Sequence, residues 1–225
     1  MIEVSMMAAP CRVWLSLLAL GGLLPCSQAQ AQAQPFSADL VMSRQGDAAA
    51  PAGRLFVLDG KVRLETPELA DGFFLIDGAK PIAYFVRPAM RIYMDARQSS
   101  RLTGLFVPVD PDDPCRQWQA MARLAGTADQ EDWRCERASE ETVGGRRTIA
   151  YRAFSGAREQ FTGWVDPVRR FPVQIKTEDG ATLSMQNIRD EPVPAQSLEV
   201  PPGSRKFDPQ SLIERIKQSD VWVAP

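Results

Sequence analysis

The sequence predicts an α+β fold in which a strongly curved antiparallel sheet, an unclosed half-barrel, is covered by a mid-chain helix and followed by a C-terminal helix. Three observations carry this. Residues 53–95 hold five short apolar segments separated by marked turns, residues 133–188 hold five more, and one helical pattern lies between the two groups. Strands in runs with a single intervening helix argue for one sheet with helical cover, not for alternating βαβ units.

The first 33 residues read as a secretory signal peptide. Arg12 supplies a thin positive region, VWLSLLALGGLL the apolar core, and Ala29-Gln30-Ala31 or Ala31-Gln32-Ala33 a small-x-small cleavage site. The apolar run is shorter than the ~20 residues of a membrane-spanning helix. Met6 or Met7 is an alternative start, since Met1–Ser5 adds an acidic residue foreign to such signals. Cys26 invites lipid anchoring, but Pro25 stands where that signal wants a small residue, so a cleaved, soluble, periplasmic protein is expected. Residues 34–207 then form one domain and 208–225 a helical tail.

The first strand is FSADLVMS, with Phe36, Ala38, Leu40 and Met42 on one face. RQGDAAAPA is a loop. The meander of residues 53–95 follows, and three Asp-Gly pairs (Asp59-Gly60, Asp71-Gly72, Asp77-Gly78) punctuate it; such pairs favour hairpins because both residues tolerate positive φ. LFVL and IAYFV are apolar on both faces, which requires cover on both, by a helix or by a ligand. In KVRLE, Val62 and Leu64 alternate with Arg63.

CRQWQAMARLAG carries Trp118, Met121, Ala122 and Ala125 at helical spacing. Asp112 or Asp113 serves as its N-cap, Pro114 as its first residue and Gly126 as its stop. In the second group of strands, FPVQIKTE is the clearest, with Phe171, Val173 and Ile175 on one face and Glu178-Asp179-Gly180 as its hairpin turn. EPVPAQSLEVPPGSRKFDP is proline-rich, hence extended and outside any central strand position. Asp208 caps the last helix, PQSLIERIKQSDVW.

Composition narrows the function. The 225 residues carry a formal net charge of −2, so the concentrated basic surface that nucleic acid needs is missing. Histidine is absent, which excludes Ser-His-Asp and Cys-His catalysis; no enzyme activity and no cofactor are expected. Of four cysteines, Cys11 and Cys26 leave with the signal. Cys115 and Cys135 remain as a disulfide pair that stabilises by about 3 kcal/mol in the chain-entropy model; a redox or metal pair is the alternative. Asp110, Asp112 and Asp113 form a candidate Ca²⁺ loop or a solvated turn. Glu140-Glu141 and Asp129-Glu131-Asp132 are the other carboxylate clusters.

The order FSADLVMS, GRLFVLDGKVRLE, LIDGAKPIAYFVRPAMRIYMD resembles the periplasmic lipoprotein-carrier superfamily (LolA/LolB-like, including the related sensor domain of RseB). The back half, GWVDPVRRFPVQIKTEDGATLSMQNI, is similar to the W-x-D-x-x-x-x-F-P-V element of that superfamily, especially in a branch of exported bacterial proteins. The resemblance covers most of residues 36–207. It implies a helix-lidded apolar cavity that takes acyl chains, and so a lipid or acylated peptide or lipoprotein as partner. The alternative is a docking or sensor module for an envelope protein with no bound lipid. The arginine linked to lid opening in the carriers falls on Arg63, although Leu64 stands where carriers often have an aromatic residue and alternation turns Arg63 away from Val62 and Leu64. The candidate cavity residues are Leu55, Val57, Val62, Arg63, Leu64, Phe74, Tyr84, Trp118 and Met121.

Overall fold

The computed structural model describes residues 34–45, 47–96, 102–126, 133–209, 211 and 214. The expected signal peptide, and the expected C-terminal helix beyond its opening residues, lie outside the described residues. Among these, twelve strands form one unclosed sheet. The first six are β1 (Phe36–Ser43), β2 (Ala50–Leu58), β3 (Lys61–Glu65), β4 (Phe73–Asp77), β5 (Ile82–Arg87) and β6 (Ile92–Asp95). After the short helix α1 (Leu102–Leu105) and the helix α2 (Pro114–Leu124) come β7 (Trp133–Val143), β8 (Arg146–Ser155), β9 (Arg158–Asp166), β10 (Phe171–Thr177), β11 (Thr182–Arg189) and β12 (Arg205–Lys206). The spatial order is β12-β6-β5-β4-β3-β2-β1-β11-β10-β9-β8-β7. Two meanders are thus joined through the antiparallel β1–β11 pair. All neighbours are antiparallel except β12, which runs parallel to β6.

The turns differ from expectation in mechanism. Asp59 (φ 48) and Gly60 (φ 81) form the expected hairpin tip with both residues at positive φ. Asp77 instead caps its turn with its side chain, Oδ1 accepting from the Ala79 and Lys80 amides. Gly72 is needed for room: a Cβ there would lie 2.5 Å from the Phe85 ring and 2.6 Å from the Val86 carbonyl. β2 also begins earlier than expected, at Ala50, and takes up part of the alanine-rich loop.

The inner face of the sheet buries Phe36, Leu40, Leu55, Val57, Val62, Leu64, Phe74 and Ile76 from the first meander with Phe161, Phe171, Val173 and Ile175 from the second. Residues 102–124 cross this face. Phe106, Val107, Val109, Trp118 and Met121 point into it and fill it. The α2 N-cap is Asp113, whose side chain accepts from the Arg116 amide, with Pro114 in the first turn, as its sequence indicates. Trp118 meets the Phe161 ring edge-on at 5.0 Å, and its indole N–H donates to the Leu105 carbonyl at 3.1 Å. Glycine at 163 makes room for this ring, since a Cβ would lie 2.8 Å from it. The Cys115–Cys135 disulfide ties the start of α2 to β7.

The second apolar face of the first meander is covered by the chain's own later segment. Phe73, Leu75 and Val86 cluster there with Tyr84, Tyr93 and Val200. Val200 belongs to the proline-rich tail, which lays Val193 and Leu198 down as buried residues and then pairs as β12. Its entry is anchored by charge. Arg169, nearly buried, grips Asp190 with two bonds of 2.7 and 2.9 Å, and Ser37, fully buried, donates to Glu191 at 2.5 Å. Among the described residues no helix is long and apolar enough to cross a membrane.

Two outcomes follow from this packing. Gly163→Ala forces Trp118 from its seat and is expected to lower stability by about 1–3 kcal/mol in urea unfolding. The bonds from Arg169 hold the Asp190 carboxyl below its usual range. With the folded value depressed, the pair stabilises above the unfolded pKa and loses its contribution as pH falls through the folded one. Replacing Arg169 with Met should therefore raise the Asp190 titration midpoint, read by NMR, and flatten the acid limb of stability.

Candidate functional site

The sequence candidates divide between two faces. Leu55, Val57, Val62, Leu64, Phe74, Trp118 and Met121 are all sealed in the inner core. There the chain's own side chains occupy the space that a carrier-type cavity would need. Tyr84 is half-buried on the opposite face, its ring 5.2 Å from Tyr93. Arg63 is also on that outer face, because strict alternation along β3 turns Val62 and Leu64 inward.

Arg63 is held from three sides. Its guanidinium lies 3.6 Å from the Phe73 ring centroid, pairs with Glu65 at 2.7 Å and donates to the Ser197 carbonyl at 3.2 Å. It lines an open basin of about 610 Å³ with Arg54, Glu65, Asp71, Pro67 and Pro88. Both signs of charge face this basin, and Arg63 clamps the tail onto the sheet.

Among the described residues the inner face borders a cleft of about 360 Å³ at the end where β1 and β2 meet the β10–β11 hairpin. Its apolar lining is Met42, Ala52, Leu69, Phe74, Leu105, Ala181 and Leu183. Of the sequence candidates only Phe74 takes part. Met42 was legible as the last residue on the apolar face of the first strand. It is 36% exposed because it overhangs the cleft mouth. Leu69, Leu105, Ala181 and Leu183 carried no common signal, being brought together only by the sheet's curvature. The polar rim is Arg44, Glu68, Thr66, Thr177 and Asp179. Arg44 pairs loosely with Asp179 at 3.8 Å. The Thr177 hydroxyl, more than Arg44, keeps the Asp179 carboxyl below its ordinary range.

The carboxylate clusters have other work. Asp113 caps α2 and Asp110 pairs with Arg170 at 3.1 Å. Glu140 is bonded by Arg137 and Arg147, and Glu141 accepts from the Trp164 indole at 2.9 Å. Residues 129–132 lie outside the described residues. Among the described residues no group of three or more His, Cys, Asp or Glu side chains is placed to hold a metal ion.

No protein-family model matches the sequence, and no curated protein matches it significantly. Among solved structures it is similar to an uncharacterized conserved protein from Thermus thermophilus, at 12% identity over 78% of this chain and 90% of that one (TM-score 0.43). It is also similar to MucB in the Pseudomonas aeruginosa MucA/MucB complex, at 13% identity over 78% of this chain and 58% of that one (TM-score 0.36). A third is PNGF-II, at 7% identity over 83% of this chain and 33% of that one (TM-score 0.45). The chain therefore spans little over half of MucB and a third of PNGF-II. These likenesses are distant.

The clamp on the tail predicts the effect of Arg63→Met. Stability in urea should fall by about 1–2 kcal/mol, and residues 191–207 should become easier to cleave by protease.

Proposed function

We propose that the chain is an exported binding module, not an enzyme, for a lipid or lipid-modified ligand whose apolar part enters the inner-face cleft. One observation carries the proposal: after α2 and its flanking loop have filled the sheet's inner face, an apolar-lined space of about 360 Å³ remains open to solvent. Apolar surface left wet in this way favours an apolar guest, at ~0.8 kcal/mol per methylene buried. The size falls in the usual range of small-molecule sites. The disulfide suits an oxidising compartment such as the periplasm. The outer-face basin, wider and mixed in charge, suits a polypeptide better than a lipid. That second reading, a docking module for an envelope protein, is the one favoured by a cleft that takes no acyl chain.

The test places a charge at the cleft mouth. Met42→Glu is expected to weaken binding of a fluorescent fatty acid by about tenfold or more, with the unfolding curve unchanged because residue 42 already reaches solvent. Equal affinity in the two proteins would remove the cleft from the proposal.

A further inference from the structure

We infer that the cleft admits one acyl chain and not two, so that the ligand is a single-chain amphiphile: a free fatty acid, a lysolipid or a singly acylated peptide. The inference rests on the lipid-binding reading above and adds the ligand's class. Its first ground is capacity. At ~30 Å³ for a group the size of a water molecule, the roughly 360 Å³ of the cleft holds about a dozen methylene-sized groups. That is one chain of medium length, and a second chain would have to remain in water.

The second ground is that this capacity is fixed. The floor is Leu105, half-buried, with Phe74 fully buried behind it, and the Leu105 carbonyl accepts the Trp118 indole N–H. Trp118 is itself seated against Gly163, so the floor has nowhere to retreat. The helix α1, which carries Leu105, packs against α2, and α2 is itself held in place. The Cys115–Cys135 disulfide holds the first turn of α2 to β7, and the Gln117 side chain donates to the Gly78 carbonyl at the β4–β5 turn. With α2 tied to both meanders, the wall of the cleft that carries Leu105 is braced from behind.

The third ground is the rim. Arg44 carries one positive charge, and Asp179 and Glu68 carry two negative ones. With Arg44 paired to Asp179, the rim keeps one negative charge in excess, so an anionic head gains little there. The head stays hydrated outside, and selection acts on the chain.

The experiment displaces a fluorescent fatty acid from the full chain with saturated fatty acids from octanoate to octadecanoate. Affinity should tighten about fourfold per added methylene up to roughly dodecanoate and then level off. Lysophosphatidylcholine and a singly palmitoylated peptide should compete, and the relative strength of the two identifies the source of the chain. The two-chain phosphatidylcholine of the same acyl length should compete at least about tenfold more weakly than its lyso form. Leu105→Ala, which lowers the floor, should move the plateau to chains two or three carbons longer. A two-chain lipid that competes as well as its lyso form, a gain that continues through octadecanoate, or a plateau unmoved by Leu105→Ala would each overturn the inference while leaving lipid binding intact. Failure of every chain to displace the probe, or of the probe to bind, would instead overturn the lipid-binding reading itself.

Discussion

A sheet with apolar side chains on both faces has to be covered twice, and most of this molecule answers that requirement. On the inner face the answer is Trp118, pressed into the space that glycine leaves at 163 and fixed by its bond to Leu105. On the outer face it is the proline-rich tail, laid over Phe73, Leu75 and Val86. Proline suits that second role. A segment that crosses a sheet face instead of extending its ladder does not need every backbone donor. The charged anchors at its entry, Arg169 with Asp190 and Ser37 with Glu191, fix where the crossing begins.

Leaving the barrel unclosed creates two edges, and the sequence treats them differently. At one end the two-residue strand β12 is too short to template another chain. At the other, β7 is eleven residues long and almost wholly exposed. It carries Arg134, Glu136, Arg137, Glu140 and Glu141, with Arg137 and Arg147 converging on Glu140. A row of paired charges on a long edge resists strand addition from a second molecule, because any incoming strand must desolvate them. Such exposed pairs contribute little to stability; their service is to specificity.

Much of this was legible in the sequence, for local reasons. Alternation located β1, β3 and β10 and turned Arg63 outward. Asp113, Pro114 and the spacing of Trp118 and Met121 marked α2 and its buried face, and the two cysteines that follow the expected signal marked the disulfide. What stayed hidden was non-local. Double-sided apolarity in LFVL and IAYFV asks for cover without saying who supplies it, and the supplier of the second cover lies more than a hundred residues away, in a proline-rich stretch that reads only as extended chain outside the central strands. The cleft was hidden for the same reason. Met42, Leu69, Leu105 and Leu183 come from four separate segments, and each alone looks like ordinary core. The Asp-Gly pairs mark turns correctly, but the dipeptide does not say whether positive φ, a side-chain cap or sheer lack of room is at work.

The placement of β1 has a kinetic side. It is the first strand among the described residues, yet it lies mid-sheet, with Ser37 opposite Phe56 on one flank and Arg189 on the other. A chain emerging N-terminus first can build β1 to β6 by local hairpins, but the far flank of β1 stays unpaired until residues 182–189 appear. The join between the meanders is therefore a contact of very high sequence separation, the kind that makes β-rich domains fold in milliseconds to seconds instead of microseconds. Until that join forms, the long-lived vulnerable strand is β1, at the centre of the finished sheet, not either of its permanent edges.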